Sequence, residues 1–187
     1  MAPNEEMKTL MRSAFEAGLP GRMERAAKVN LQQFIPSHWF AAAASESASM
    51  YIAGFHYGCI SIAQAYVEAL SRFLVSHHKL KPCKDFATRW ARLRDAHHVS
   101  ALDYDSAMSI YSDRNDFHHL NSALPSDHKD LEDRAEACLN AIHTIESNIF
   151  SYSINPEQPG QVLFKNPNYW PSAGNEHARV FLRNPWL

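Results

Sequence analysis

The sequence predicts an all-α protein: one helical bundle followed by an extended, proline-rich tail. Three observations carry this reading. Apolar residues recur at three- and four-residue spacing over long runs, which lays one buried stripe along each helix. Nothing before residue 152 alternates as a half-buried strand would. Beyond Tyr152 the prolines Pro156, Pro159, Pro167, Pro171 and Pro185 exclude a long helix. With 187 residues, 45% of them hydrophobic and 20% charged, the chain is long enough to bury a core without disulfide or metal staples.

Taken in order, Glu5–Ala17 and Arg22–Phe34 have helical composition, and Gly18, Pro20 and Gly21 are expected to separate them. Pro36 closes the second. Small residues from Ala41 to Ala48 follow, with Ser45 or Ser47 as a cap for the next start. The longest pattern runs from Ser47 to Ser76. Its stripe is Tyr51, Phe55, Cys59, Ile62, Tyr66, Ala69, Leu70 and Phe73. Gly54 and Gly58 fall inside this predicted helix, where each costs roughly 1 kcal/mol against alanine. Close approach of a neighbouring helix is the plain reason to keep them; room for a ligand is the functional one.

Lys81-Pro82 interrupts the chain, and a shorter helix is expected from Asp85 to about His97. Asp103 is a candidate cap for a helix over Tyr104–Asn121, which ends before Pro125. Ser126 is the candidate cap for the last helix, whose stripe is Leu131, Ala135, Cys138, Leu139, Ile142, Ile145 and Ile149. In the tail, Val162-Leu-Phe-Lys-Asn-Pro167 is echoed by Val180-Phe-Leu-Arg-Asn-Pro185, each followed by a tryptophan, Trp170 and Trp186. Two short extended segments are expected, as a hairpin or as two docked arms. The organisation is thus a helical extension at 1–46, a bundle at 47–152 and a tail at 153–187 that packs on the bundle or on a second subunit.

Net charge is −2, so no broadly basic surface of the kind that grips duplex nucleic acid non-specifically is expected. The acidic start lacks the apolar core of a signal peptide. The apolar run Met50–Leu74 is broken by Gly54, His56, Gly58, Gln64, Glu68 and Arg72, which suits a buried helix and no membrane span. Cys59, Cys83 and Cys138 are odd in number and widely spaced, as reduced thiols of a cytoplasmic protein would be.

Eleven histidines include the pairs His77-His78, His97-His98 and His118-His119. Helical metal sites place ligands at i and i+3 or i+4, with partners on another helix. Adjacent histidines point about 100° apart, so no metal or other cofactor is expected from these pairs. An arginine followed five places later by a histidine occurs three times: Arg72…His77, Arg92…His97 and Arg114…His119. The first two fall at predicted helix ends, where both residue types suit the dipole. The third continues an apolar face, Tyr104, Ala107, Met108 and Tyr111, with Arg114, Asn115, His118 and His119. Polar groups extending a core stripe cost desolvation unless something pairs with them. They form either a buried network or a site lining a crevice. Glu68 on the long helix offers a partner for Arg114, although a charge on the helix surface is its plainer reading.

The segment Tyr111-Ser-Asp-Arg114-Asn115-Asp-Phe-His-His119 resembles the signature of HEPN domains (higher eukaryote and prokaryote nucleotide-binding): arginine, a polar residue, three variable residues, histidine. A long helix before it (Ala53-Gly-Phe-His-Tyr-Gly…Ala65-Tyr-Val-Glu68-Ala-Leu) and another after it give a similar order, and the resemblance covers roughly 47–152. It implies a HEPN-like helical bundle that dimerises and brings two motifs into one cleft. Many members are metal-independent endoribonucleases, often toxins or antiviral effectors held by an inhibitor or antitoxin protein. Arg114, Asn115 and His119 are the matching catalytic positions, with His118 as an auxiliary imidazole. In the branch paired with a nucleotidyltransferase antitoxin a tyrosine follows the histidine by two places; here Asn121 stands there.

Those side chains suit RNA cleavage. RNA carries its own nucleophile, the 2′-hydroxyl, so the protein supplies proton transfer and charge stabilisation. Histidine titrates near neutrality, and arginine grips phosphate through paired N–H groups. Two readings stand beside the nuclease: a non-catalytic RNA- or nucleotide-binding module, and a structural or interaction protein in which the three residues form a hydrogen-bonded network.

Overall fold

The computed structural model describes residues 4–31, 34–112, 114–119, 127–158, 161–170 and 181–182. These form an all-α bundle with two small two-stranded ladders. Helix α1 spans Glu5–Lys28, with Asn4 accepting the Glu6 N–H at its start and Arg25 and Lys28 in its last turn. It is one helix where the sequence predicts two. Pro20 lacks an N–H and removes one rung of the ladder, yet the helix formers beyond Gly18 and Gly21 carry the helix through. No α1 residue is buried; Arg25 Nε donates to the Ile52 carbonyl (3.1 Å) and Lys28 to Glu136 (2.8 Å). A row of apolar residues along it, Met7, Met11, Phe15, Leu19 and Met23, faces outward.

The predicted Ser47–Ser76 helix is two helices, α2 (His38–Ala53) and α3 (His56–His77). Gly54 makes the break. Its φ is 89°, its N–H bonds the Tyr51 carbonyl, and the Phe55 N–H bonds that of Met50. This is the left-handed ending that favours glycine, so the helix-interior cost expected of Gly54 does not apply. Gly54→Ala is expected to lower stability by about 1–2 kcal/mol, the strain of a Cβ in that region, measured by chemical denaturation. Gly58 lies inside α3, where an added Cβ would sit 2.5 Å from Met50 Sδ, so here close approach is the reason for glycine. Ser47 is no cap: it is buried within α2 and donates to the Cys59 carbonyl (2.9 Å). Phe55, expected in the stripe, is exposed between the helices. Because α2 begins at His38 and buries Ala41 and Ala44 in the common core, it runs across the boundary expected at 46/47.

Helix α4 (Phe86–Asp95) is capped by Asp85, which accepts the Thr88 N–H at 2.7 Å. Helix α5 (Ala101–Tyr111) starts at a capping box of Ser100 and Asp103; Asp103 is the reciprocal partner, three residues in, and not the cap itself. Asp103 is buried and also accepts from Asn148 of the last helix (2.8 Å). The predicted Tyr104–Asn121 helix ends at Tyr111, and a separate short helix, α6, covers Arg114–His119. The buried face of α5 is Asp103, Ala107 and Ile110, one position round from the one expected, with Tyr104, Met108 and Tyr111 half-buried beside it. Helix α7 (His128–Ile149) is capped by Asp127; the expected cap, Ser126, lies outside the described residues. Its predicted stripe is buried in full, from Leu131 to Ile149.

Helix α3 is the centre of the bundle, in contact with α2, α4, α5, α6 and α7. Its Tyr66 hydroxyl donates to Glu146 of α7 at 2.7 Å, in the dry core. Strand β1 (Phe34–Ile35) precedes α2, a strand too short for alternation to reveal. In the tail, β2 (Tyr152–Ile154) and β3 (Val162–Phe164) form an antiparallel hairpin, Tyr152 facing Phe164 and Ile154 facing Val162. Strand β4 (Phe181–Leu182) pairs with β1, so the two echoed segments find different partners instead of each other. Trp170 is buried and stacks on Phe164 at 4.1 Å; Trp186 lies outside the described residues. No helix among the described residues is long and apolar enough to cross a membrane.

Two histidine pairs meet where α3 ends. His78 stacks on His98 at 3.5 Å and hydrogen-bonds the Tyr169 hydroxyl, with His77 edge-on to the same tyrosine. Burial, His98 and His77 together hold His78 below the ordinary histidine range. The unfolded chain therefore takes up that proton more readily. The stability is present above the unfolded value, near pH 6.5, and is lost as pH falls through the lower folded value. Thermal melts from about pH 7.5 to about 5.5 are expected to fall, less steeply in His78→Gln; His56, displaced the same way, keeps part of the slope.

Candidate functional site

Glu68 lies on α3 at the point where α4 and α6 converge. Arg72, one turn further along α3, pairs with its Oε1. Arg89 of α4 reaches the same oxygen at 3.6 Å, and Arg114, the first residue of α6, reaches Oε2 at 3.6 Å. Three guanidiniums thus converge on one carboxylate among the described residues. The four side chains differ in access: Arg89 is 3% exposed, Glu68 18%, Arg114 36% and Arg72 65%.

Each arginine is held differently. Arg89 Nε donates to Ser71 Oγ (3.0 Å), and its Nη1 to the Cys83 (2.9 Å) and Lys84 (2.6 Å) carbonyls. Its Nη2, which faces Glu68, makes no hydrogen bond within 3.5 Å. Arg114 lies over the Tyr111 ring, 5.3 Å from its centre, and Tyr111 in turn stacks on Phe86 at 3.6 Å. Arg72 is mostly exposed, and Glu68 is its ion-pair partner among the described residues. A guanidinium backed by an aromatic face and one shared anion keeps N–H groups free to meet an oxyanion from outside.

Of the four expected site residues Arg114, Asn115, His118 and His119, Arg114 is the one whose side chain is described, and it is solvent-reachable. It does not continue the α5 face, because the chain breaks at Ser112; α6 brings it to Glu68 from a new direction. Asn115, His118 and His119 lie on α6, and their side chains lie outside the described residues, as does Asn121 altogether. Helical geometry sets position 118 about 40° from position 114 and position 119 about 140° away. Phe117 between them is buried against Tyr57 and fixes the inner side of α6.

The surface-charge reading of Glu68 gives way to a junction of three helices. Arg72, set aside as a helix-end residue, belongs to the same cluster, and Arg89 was not singled out at all. The i,i+4 spacing of Glu68 and Arg72 was visible; the contributions of α4 and α6 needed the tertiary fold. The group of metal-ligating side chains that converges among the described residues lies elsewhere, at His56, His128 and Glu132. Comparison with protein-family models, with curated proteins and with solved structures gives no match to this chain.

Proposed function

We propose that this chain is a HEPN-type endoribonuclease that works as a homodimer and needs no metal for the chemical step. The observation that carries the proposal is Arg114. Its guanidinium is accessible, seated in a locally cationic junction, and opens the helix that also bears Asn115, His118 and His119. In this reading Arg114 holds the scissile phosphate, with the remaining positive charge of Arg72 and Arg89 favouring the extra negative charge that develops on phosphorus. A histidine of α6 takes the proton from the 2′-hydroxyl, the O2′–P bond forms and the P–O5′ bond breaks. The 5′-oxygen receives a proton from a histidine, leaving a 2′,3′-cyclic phosphate and a 5′-hydroxyl. Asn115 orients the phosphate or the imidazole. DNA lacks the 2′-hydroxyl and stays intact.

The same ion pair favours one rival. With Glu68 engaged, Arg114 can serve a binding module of this fold that holds RNA without cutting it. Mixed RNA incubated with the purified chain in EDTA separates the two. Cleavage to cyclic-phosphate ends, lost in both Arg114→Ala and His119→Ala while circular dichroism is unchanged, is the expected result. Intact RNA with measurable affinity would instead mark the module.

A further inference from the structure

Remote from Glu68, the starts of two helices bring together an unusual set of side chains. His56 opens α3, His128 opens α7, and Glu132 follows His128 by one turn. One donor atom from each lies within 4.8 Å of the other two. His56 Nε2 is 3.9 Å from Glu132 Oε2, and the two imidazoles meet edge to face at 4.7 Å. The His56 side chain is only 2% exposed, and among the described residues neither ring nitrogen has a hydrogen-bond partner. A buried imidazole with no protein partner at either nitrogen is uncommon in folded proteins. With the ring proton on Nδ1, the nitrogen that faces Glu132 offers its lone pair to a cation.

We infer that His56, His128 and Glu132 bind a zinc ion that ties the first turn of α3 to the first two turns of α7. Two imidazoles and a carboxylate form a donor set that zinc takes with a fourth position left to water. Donors around a tetrahedral zinc lie roughly 3.4 Å apart at the usual bond lengths of about 2.0–2.1 Å, so small rotamer changes close the site. The His128–Glu132 spacing of four places both donors on one face of α7. Arg25 Nη1 lies 3.9 Å from the same Glu132 oxygen. Ligation through that one oxygen leaves the other for the guanidinium. The site is twelve residues from Glu68 along α3, about 18 Å at 1.5 Å per residue. It is a separate site, distinct from the proposed RNA junction.

The test uses the full chain, stripped with a chelator, dialysed, and titrated with Zn²⁺ alone by calorimetry and thermal melting. One equivalent is expected to bind and to raise the melting temperature. His128→Ala and Glu132→Gln, both changes on the outer turns of α7, are each expected to weaken binding by at least about tenfold with helical content retained. Failure of the wild-type chain to take up zinc, or unchanged affinity in either variant, overturns the site. Should a variant misfold, histidine-ring NMR of the wild-type chain decides: two rings shift on adding Zn²⁺, and no shift refutes the assignment. RNA cleavage does not enter any of these readouts.

Discussion

Glu68→Gln is expected to lower the free energy of unfolding by about 3 kcal/mol, the lower end of the cost of removing one partner from a buried ion pair. Arg89 sets that cost. Its head is sealed between α3 and α4, three of its hydrogen bonds go to neutral groups, and Glu68 is the carboxylate that faces its remaining nitrogen. Glutamine keeps the shape and removes the charge, leaving three cations converging on an amide. Arg72→Ala is the control. That side chain is mostly in water, so its pair contributes about 0–1 kcal/mol. Urea denaturation of the two variants checks the contrast, and equal effects would show that Glu68 is only a surface charge. The same substitution has an opposite consequence for ligands: with its anion gone, the junction should hold RNA phosphates more tightly, read as a lower Kd at fixed salt.

Arg114→Ala is expected to slow RNA cleavage by about 100-fold or more, the usual loss when one charge-stabilising donor of a transition state is removed. Its stability should hardly change, because the Arg114 side chain is 36% exposed and its pair with Glu68 is 3.6 Å long. This split between rate and stability distinguishes a residue that grips substrate from one that props the fold. Arg114→Lys restores charge without the planar fork, so recovery should be partial. Initial rates on a labelled oligoribonucleotide, together with melts of the same samples, make the measurement. A fully active Arg114→Ala chain would end the nuclease reading.

The part of the fold that sequence alone revealed is the part written in periodicity. The α7 stripe from Leu131 to Ile149 reads directly, because every third or fourth residue is apolar and the flanking positions are polar. The break between α2 and α3 was hidden, since Gly54 sits inside a continuous helical apolar pattern, as Gly58 does, and its positive φ has no signature beyond the glycine itself. Pro20 misled in the other direction: it marks a lost hydrogen bond, and α1 continues past it. The site was legible to the same degree. Arg114 stood out by spacing, but Arg89 is followed five places later by Arg94 and not by a histidine, and only packing brings it to the cluster. The His128–Glu132 pair was visible at one-turn spacing, whereas His56 belongs to a different helix and looked like one more polar interruption of an apolar run.

The pairing of Phe34–Ile35 with Phe181–Leu182 joins stretches far apart in the chain through two described residues on each side. Drawing such distant parts of an unfolded chain together carries an entropic penalty of several kcal/mol, on the order of (3/2)RT ln n, and a ladder this short cannot offset it. The helices must therefore assemble first and bring the two stretches within reach. Their zipping is a finishing step, subordinate to the bundle and adding little to its resistance against unfolding.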